Sequence, residues 1–192
     1  MTHEWVTFFS WAAFYACHSA LASDRVKYRV ARWQPAARRF YRLGYNAFSI
    51  LFFCWLLTDL YRHSGSFLYA PSIVFYIVGA TLAVFGLLLL GASFRNYDLA
   101  EFAGLQSAVA PQPLQTGGLN ARIRHPIYSG TLLLMLGICA AYPSGALWAV
   151  LAATVLYLPF GIGWEEKKLL RQYGSAYADY QKRVKRLIPG LW

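Results

Sequence analysis

"IYSGTLLLMLGICAAYPSGALWAVLAATVLYLPFGIGW", residues 127–164, contains no Asp, Glu, Lys or Arg. A helix that crosses a bilayer needs about 20 apolar residues, or about 17 at the short end. This run is long enough for two crossings. Its one break is "AYPSG" at 141–145, where proline, serine and glycine mark a turn. The run therefore reads as a tight helical hairpin with arms Ile127–Ala141 and Ala146–Trp164. Working back toward the N-terminus, three more segments carry the same signal. They are Trp5–Ser23, a short one at Leu43–Thr58 between Arg42 and Asp59, and Ser72–Phe94. The short one needs flanking side chains that snorkel to the interface.

The bulk composition agrees. Hydrophobic residues make up 58% of the 192 residues and charged ones 14%, where soluble domains hold about 25%. The fold class expected is an all-α integral membrane protein with five transmembrane helices. Gly79 with Gly86, and Gly130 with Gly137, are each spaced by two helical turns. Each pair lies on one face of its helix and would let a neighbour approach closely.

The net charge is +10. In a soluble protein that would raise nucleic acid as a partner. Here the cations stand in short blocks beside apolar segments, as flanks facing anionic lipid do, so no nucleic-acid partner is expected. Of the 18 Lys and Arg residues, all but Arg62 fall on one side of a five-span topology. The blocks are Arg25–Arg42 after span one, Arg95, Arg122 and Arg124 before span four, and Lys167–Arg186 after span five. The positive-inside rule then places the N-terminus outside and the C-terminus inside. Cys17, Cys54 and Cys139 lie within apolar segments, without the spacing of a metal site or a disulfide framework. No basic region precedes the first apolar segment, so no cleavable signal peptide is expected.

Polar chemistry gathers where span four begins, in "GGLNARIRHPIYSG" at 117–130. Pro126 suits the first turn of a helix. The N–H groups and positive dipole end there favour an anion, with Arg122, Arg124 and His125 alongside. Arg122 taken alone reads as an interfacial anchor. Span four is short, about 22 Å at 1.5 Å per residue, against a hydrocarbon core of about 30 Å. Its polar start therefore needs cover from protein or water. The hairpin returns the end of span five to the same face, so Glu165 or Glu166 can approach Arg124 and His125. Acids at the end of an apolar span need a partner. A cationic carboxylate-binder beside a carboxylate suits a zwitterionic ligand, such as the amino-acid end of a cofactor. Beyond them Tyr173, Tyr177, Tyr180 and Val184 recur at helical spacing, opposite Lys182, Arg183 and Lys185. That predicts one cytoplasmic amphipathic helix ending before Pro189.

These residues resemble a family. "RHPIYSG", a hairpin, "EEKKLL", "YGSAYADYQKRV" and "IP" are similar to the isoprenylcysteine carboxyl methyltransferase and phospholipid methyltransferase superfamily. Its members are integral-membrane enzymes that use S-adenosylmethionine and release S-adenosylhomocysteine. The likeness covers about residues 114–190 and implies a cofactor-binding core there, within a single domain spanning 1–192. It implies cofactor contacts at His125, Tyr128, Glu165 and Glu166. The backbone of Leu119, Ala121 and Ile123 would enclose the adenosyl group, Arg124 would help hold the cofactor carboxylate, and Tyr173 and Tyr177 would close the pocket. In the first half, "YACHSALAS", "YRLGYNAFS" and "NYDLAEFAGLQ" resemble the bacterial NnrU-like proteins and membrane methanethiol methyltransferases. Eukaryotic prenylcysteine enzymes carry an arginine just before their glutamates, and here that stretch is the uncharged "FGIGW".

The function implied is methyl transfer to a small lipophilic acceptor, a thiol or a prenylcysteine-like carboxylate, at the cytoplasmic face of a bacterial inner membrane. No catalytic nucleophile is needed, since aligning donor and acceptor supplies most of the rate. Candidate acceptor-side residues are His18 near the cytoplasmic end of span one and the trio Asn96, Asp98 and Glu101 below span three. His18 has a second reading as a plain helix-to-helix hydrogen bond, and the trio a second reading as a solvated loop. No metal is expected. Two rival functions remain open, a non-catalytic NnrU-like accessory protein and an NADPH-dependent membrane reductase of the steroid-reductase type. The expected partners are a lipophilic substrate and membrane lipid, with the oligomeric state open.

Overall fold

The computed structural model describes residues 2–34, 40–65, 67–95 and 113–190. Among them every regular element is a helix: α1 (Thr2–Ala22), α2 (Asp24–Trp33), α3 (Tyr41–His63), α4 (Ile73–Phe94), a 3₁₀ turn (Gly118–Ala121), α5 (Pro126–Ala141), α6 (Gly145–Tyr173) and α7 (Ser175–Arg183). Helices α3, α4 and α6 are long and apolar enough to cross a bilayer. Helix α1 has the length, at 21 residues, but carries His3, Glu4 and several hydroxyls among its apolar residues. Helix α5 has 16 residues, about 24 Å at 1.5 Å per residue. Ile50 and Leu51 on α3, and Val74, Ile77, Phe85 and Leu88 on α4, are exposed. Apolar helix faces turned outward on this scale are what lipid contact requires.

The described residues form two compact units. One holds α1, α2, α3 and the start of α6 as far as Thr154. There α1 and α3 interleave aromatic rings edge-on, with Trp11 against Phe53 at 5.6 Å and Phe14 against Phe52 at 5.5 Å. The Thr154 hydroxyl donates to the Val150 carbonyl, so the 2.7 Å contact between Tyr15 and Thr154 is donated by the tyrosine. Helix α2 is an addition to the expected topology. Ser23 caps it by accepting the Val26 N–H, and it carries four cations of the first basic block, Arg25, Lys27, Arg29 and Arg32, on ten amphipathic residues.

The other unit holds α4, α5, the rest of α6 and α7. Its helices α4 and α5 pack through the glycine faces. A Cβ on Gly79 would stand 2.6 Å from the Gly137 carbonyl oxygen, and one on Gly137 would stand 2.5 Å from the Ala83 nitrogen. A Cβ on Gly86 would stand 2.5 Å from the Leu134 nitrogen, and one on Gly130 would stand 3.0 Å from the Gly86 carbonyl oxygen. In lipid, apolar burial does not drive helices together, and this backbone-to-backbone approach supplies the contact instead.

Two boundaries differ from expectation. The fifth apolar segment does not end its helix at Trp164. Helix α6 runs on to Tyr173 and keeps Glu165 and Glu166 inside regular helix. The expected single tail helix is broken at Gly174, whose φ of +55° is a left-handed conformation that suits glycine. It resumes as α7 and ends at Arg183, well before Pro189.

Candidate functional site

The residues of interest lie within the second unit, where three stretches distant in sequence converge. The loop before α5 is shaped by the 3₁₀ turn, whose Gly118 adopts φ +59°. Pro126 opens α5 at its first turn, with His125 as the capping position. The C-terminal segment after α7 lies along this loop as a strap. The Arg124 N–H donates to the Lys185 carbonyl at 2.8 Å and the His125 N–H to the Arg186 carbonyl at 3.0 Å. The Ser129 hydroxyl donates to the Leu187 carbonyl at 2.7 Å, and the Tyr180 hydroxyl to the Asn120 carbonyl at 2.6 Å. Leu187 then joins Leu158 and Ile162 of α6 in an apolar cluster against which Tyr128 and Leu132 pack.

Glu166 is the hub. Its side chain is 5% exposed. Arg124 donates to its Oε1 through Nε at 2.8 Å and through a terminal nitrogen at 2.6 Å. Arg186 donates to its Oε2 at 3.1 Å, and His125 Nε2 lies 3.3 Å from Oε1. The remaining terminal nitrogen of Arg124 donates to the carbonyls of Gln181, at 3.1 Å, and Val184. The guanidinium thus fastens α6 to the end of α7 and the start of the strap. A buried ion pair persists only with this degree of hydrogen bonding, because desolvation otherwise outweighs attraction.

The titration of these groups follows from their neighbours. Burial alone would raise the Glu166 pKa, but hydrogen bonds from His125 and Arg124, with the Arg124 charge and Arg186, hold it down at about 2. Burial works against a charged His125, yet hydrogen bonds to Glu165 and Glu166 and their negative charges raise its pKa overall. The ring lies between the two carboxylates, with Nδ1 3.5 Å from Glu165 Oε2. The Tyr177 phenol is raised, chiefly by burial and then by the Glu166 charge. Its hydroxyl is buried and has no hydrogen-bond partner among the described residues.

Arg124, His125, Glu165 and Glu166 therefore meet as the hairpin argument anticipates. Tyr128 stacks obliquely beside His125, with ring centroids 5.6 Å apart. Tyr177 is 1% exposed, while Tyr173 is half-buried and accepts from its neighbour Gln172 at 3.1 Å. Ile123 is buried beneath the strap, Leu119 is half-buried, and Ala121 and Arg122 are exposed. His18 belongs to the first unit. The Ser49 hydroxyl donates to the Tyr45 carbonyl, so the 3.0 Å contact between His18 Nδ1 and Ser49 is donated by the imidazole. This is the helix-to-helix bond between α1 and α3. Asn96, Asp98 and Glu101 fall outside the described residues. The sequence assigned no site role to Arg186 or Ser129, and Tyr180 entered only as part of the amphipathic tail helix. The "KRVKRLIP" stretch hinted at Arg186 alone, by its density of cations after that helix.

No family model matches the chain, and no solved structure matches it. Among curated proteins, it is 30% identical over 115 residues to methanethiol S-methyltransferase 2 of Bradyrhizobium diazoefficiens, covering 56% of this chain and 44% of that protein. It is 27% identical over 198 residues to methanethiol S-methyltransferase 1 of the same organism, covering 93% of this chain and 64% of that protein. The chain thus spans less than two thirds of the length of either relative. Both are distant homologues, and they agree with the resemblance to the isoprenylcysteine carboxyl methyltransferase-like membrane enzymes.

Proposed function

We propose that the chain is an integral-membrane S-adenosylmethionine-dependent methyltransferase acting on a small lipophilic acceptor, a thiol in preference to a prenylcysteine-like carboxylate. The observation that carries this reading is the cluster at the mouth of α5, where His125 stands between Glu165 and Glu166 under the C-terminal strap. The distant homologues named methanethiol S-methyltransferases support methyl transfer and favour the thiol.

The residues fit a zwitterionic cofactor. Glu165 is 42% exposed on its side chain and is the carboxylate available to a ligand ammonium. Arg186, at 41%, is the accessible guanidinium for a ligand carboxylate. The Tyr177 hydroxyl is a buried donor whose partner a bound ligand would provide. Arg124 acts one step back, because its donors are engaged by Glu166 and two carbonyls, and it positions the cluster. Leu119, Ala121 and Ile123 would flank the adenosyl group and Tyr128 would line its edge. Tyr173 would close the pocket beside Tyr177.

S-adenosylmethionine would supply an electrophilic methyl on sulfonium. Transfer breaks that carbon–sulfur bond and forms one to the acceptor sulfur, whose proton leaves to solvent. The chain aligns the partners and excludes water, so no catalytic nucleophile is required. We read the assembly as five spans with N-out and C-in topology in a bacterial inner membrane, the site facing the cytoplasm and residues 114–190 forming the cofactor core of a single domain. The test is transfer of radiolabelled methyl by membranes carrying the chain. Labelled thioether from a short alkanethiol supports the proposal. Label found only in a prenylcysteine ester moves the acceptor to a carboxylate. No label in either product, with S-adenosylmethionine present and the protein folded, contradicts it. In that case stabilisation by NADPH would favour a reductase and stabilisation by neither cofactor an accessory protein.

A further inference from the structure

Away from the site just described, the first unit gathers three ligating side chains at one end of the α1–α3 pair. Asp59 and His63 are four residues apart on α3 and so share a face. His3 comes from the first turn of α1. One ligand atom from each can be chosen so that all three lie within 4.8 Å of one another. His3 Nε2 stands 3.3 Å from Asp59 Oδ2, and His63 Nδ1 stands 3.3 Å from Asp59 Oδ1. The two imidazoles stack, with centroids 3.5 Å apart and planes 30° apart, so the exposed His63 ring must turn for a nitrogen of each ring to face one ion.

We propose that His3, Asp59 and His63 bind one divalent transition-metal ion of the zinc class, which clasps the ends of α1 and α3. Four features of the cluster carry this. First, the His3 Nε2 atom is buried and makes no hydrogen bond among the described residues. The Asp59 carboxylate 3.3 Å away does not hydrogen-bond it, and a metal bond would satisfy it. Second, His63 Nδ1 lies 2.8 Å from the Asp59 carbonyl oxygen. A carbonyl only accepts, so Nδ1 bears the hydrogen and Nε2 presents its lone pair. Ligating histidines are commonly oriented this way, by donation of the other ring N–H to a carbonyl. Third, two ligands each about 2.0–2.1 Å from a tetrahedral ion stand about 3.3 Å apart. The His3–Asp59 separation has that value. Fourth, two imidazoles and one carboxylate select zinc, cobalt, nickel or copper over magnesium or calcium, which prefer all-oxygen shells.

Three protein ligands leave a fourth position for water. His3 and Asp59 are half-buried and His63 is exposed, so an ion can enter from solvent. The benefit is physical. Helices in lipid lack an apolar driving force for association, and a shared ion joins residues 3 and 63 directly.

The test uses the full chain in detergent, without a polyhistidine tag, stripped with EDTA and titrated with zinc chloride by calorimetry. The expected result is one zinc per chain, a raised melting temperature, and at least tenfold weaker binding in His63→Ala and in Asp59→Asn. Cys54→Ser, on the same helix, should bind as the native chain does. Zinc binding equally tight in both ligand variants, or lost in Cys54→Ser, would overturn the proposal. A second measurement does not depend on variants folding. Cobalt added to the stripped native chain should give the intense visible bands of a four-coordinate nitrogen–oxygen site. A spectrum no different from aqueous cobalt would also overturn it.

Discussion

Arg124 and Glu166 are 42 positions apart in sequence, yet Arg124 gives two hydrogen bonds to one oxygen of the Glu166 carboxylate, at 2.8 and 2.6 Å. This pair closes the hairpin at its polar end. It joins the loop before α5 to the far end of α6, and through the Gln181 and Val184 carbonyls it reaches the end of α7 and the strap. Removing Arg124 leaves the buried Glu166 charge to Arg186 and His125 alone, and removing Glu166 leaves the Arg124 charge with only two carbonyls.

Breaking such a pair costs about 3–5 kcal/mol. Arg124→Ala and Glu166→Gln should each lower the thermal midpoint substantially in detergent. The double variant should be much less destabilised than the sum of the two. Arg124→Lys should not rescue, because an ammonium lacks the planar fork that reaches carboxylate and carbonyls together. Simple additivity across the cycle would show that the two residues act independently.

The pH dependence has two limbs of opposite sign. Glu166 has a lowered pKa, so its contribution is present above the ordinary value of 4.5 and is lost as pH falls toward about 2. His125 has a raised pKa, so its contribution is present below the ordinary value of 6.5 and is lost as pH rises through the higher folded value. The melting temperature should therefore peak between these two ordinary values. Glu166→Gln should flatten the acid limb and His125→Gln the alkaline one. A native profile still rising beyond neutral pH would contradict the His125 assignment.

The glycine contact between α4 and α5 gives a steric prediction. Gly137→Val places atoms where the Ala83 nitrogen and Gly79 carbonyl already stand at 2.5 Å from a single added Cβ. Backbone on both sides leaves no flexible group to yield. The variant should lose several kcal/mol of stability, on the scale of severe overpacking. Gly91→Val should fold normally, because a Cβ there meets open space.

The strap can be tested through Tyr180, whose hydroxyl donates to the Asn120 carbonyl at 2.6 Å. Tyr180→Phe leaves that contact unmade and should cost about 1 kcal/mol. Cleavage by a protease in the loop before α5 should rise in step with the lost stability. Unchanged protection of that loop would mean that the strap does not hold it.

Much of this architecture was legible in the chain. Uncharged runs located the hydrophobic helices, since a bilayer imposes their length and composition on the sequence itself. The two-turn glycine spacings on α4 and α5 marked the faces that meet. Arg124, His125, Glu165 and Glu166 could be brought together because a tight hairpin leaves its two open ends side by side. The rest had no local signature. Pairing of Ile123 with Lys185 joins residues about 60 apart through backbone atoms that every residue has. The continuation of α6 past Trp164 follows from tertiary partners for Glu166 that lie on other elements. Gly174 showed its break only through the conformation it adopts. Arg124 looked like a ligand for a cofactor carboxylate because its engagement with the Gln181 and Val184 carbonyls cannot be read from side-chain identities.

The most direct measurement is the affinity of the purified chain for S-adenosylhomocysteine by calorimetry, with NADPH as the comparison. Saturable one-to-one binding of S-adenosylhomocysteine is expected, and none of NADPH. His125→Ala should weaken it at least tenfold, or about 1.4 kcal/mol. Heat from NADPH alone, or S-adenosylhomocysteine binding that His125→Ala leaves unchanged in a folded protein, would contradict the account.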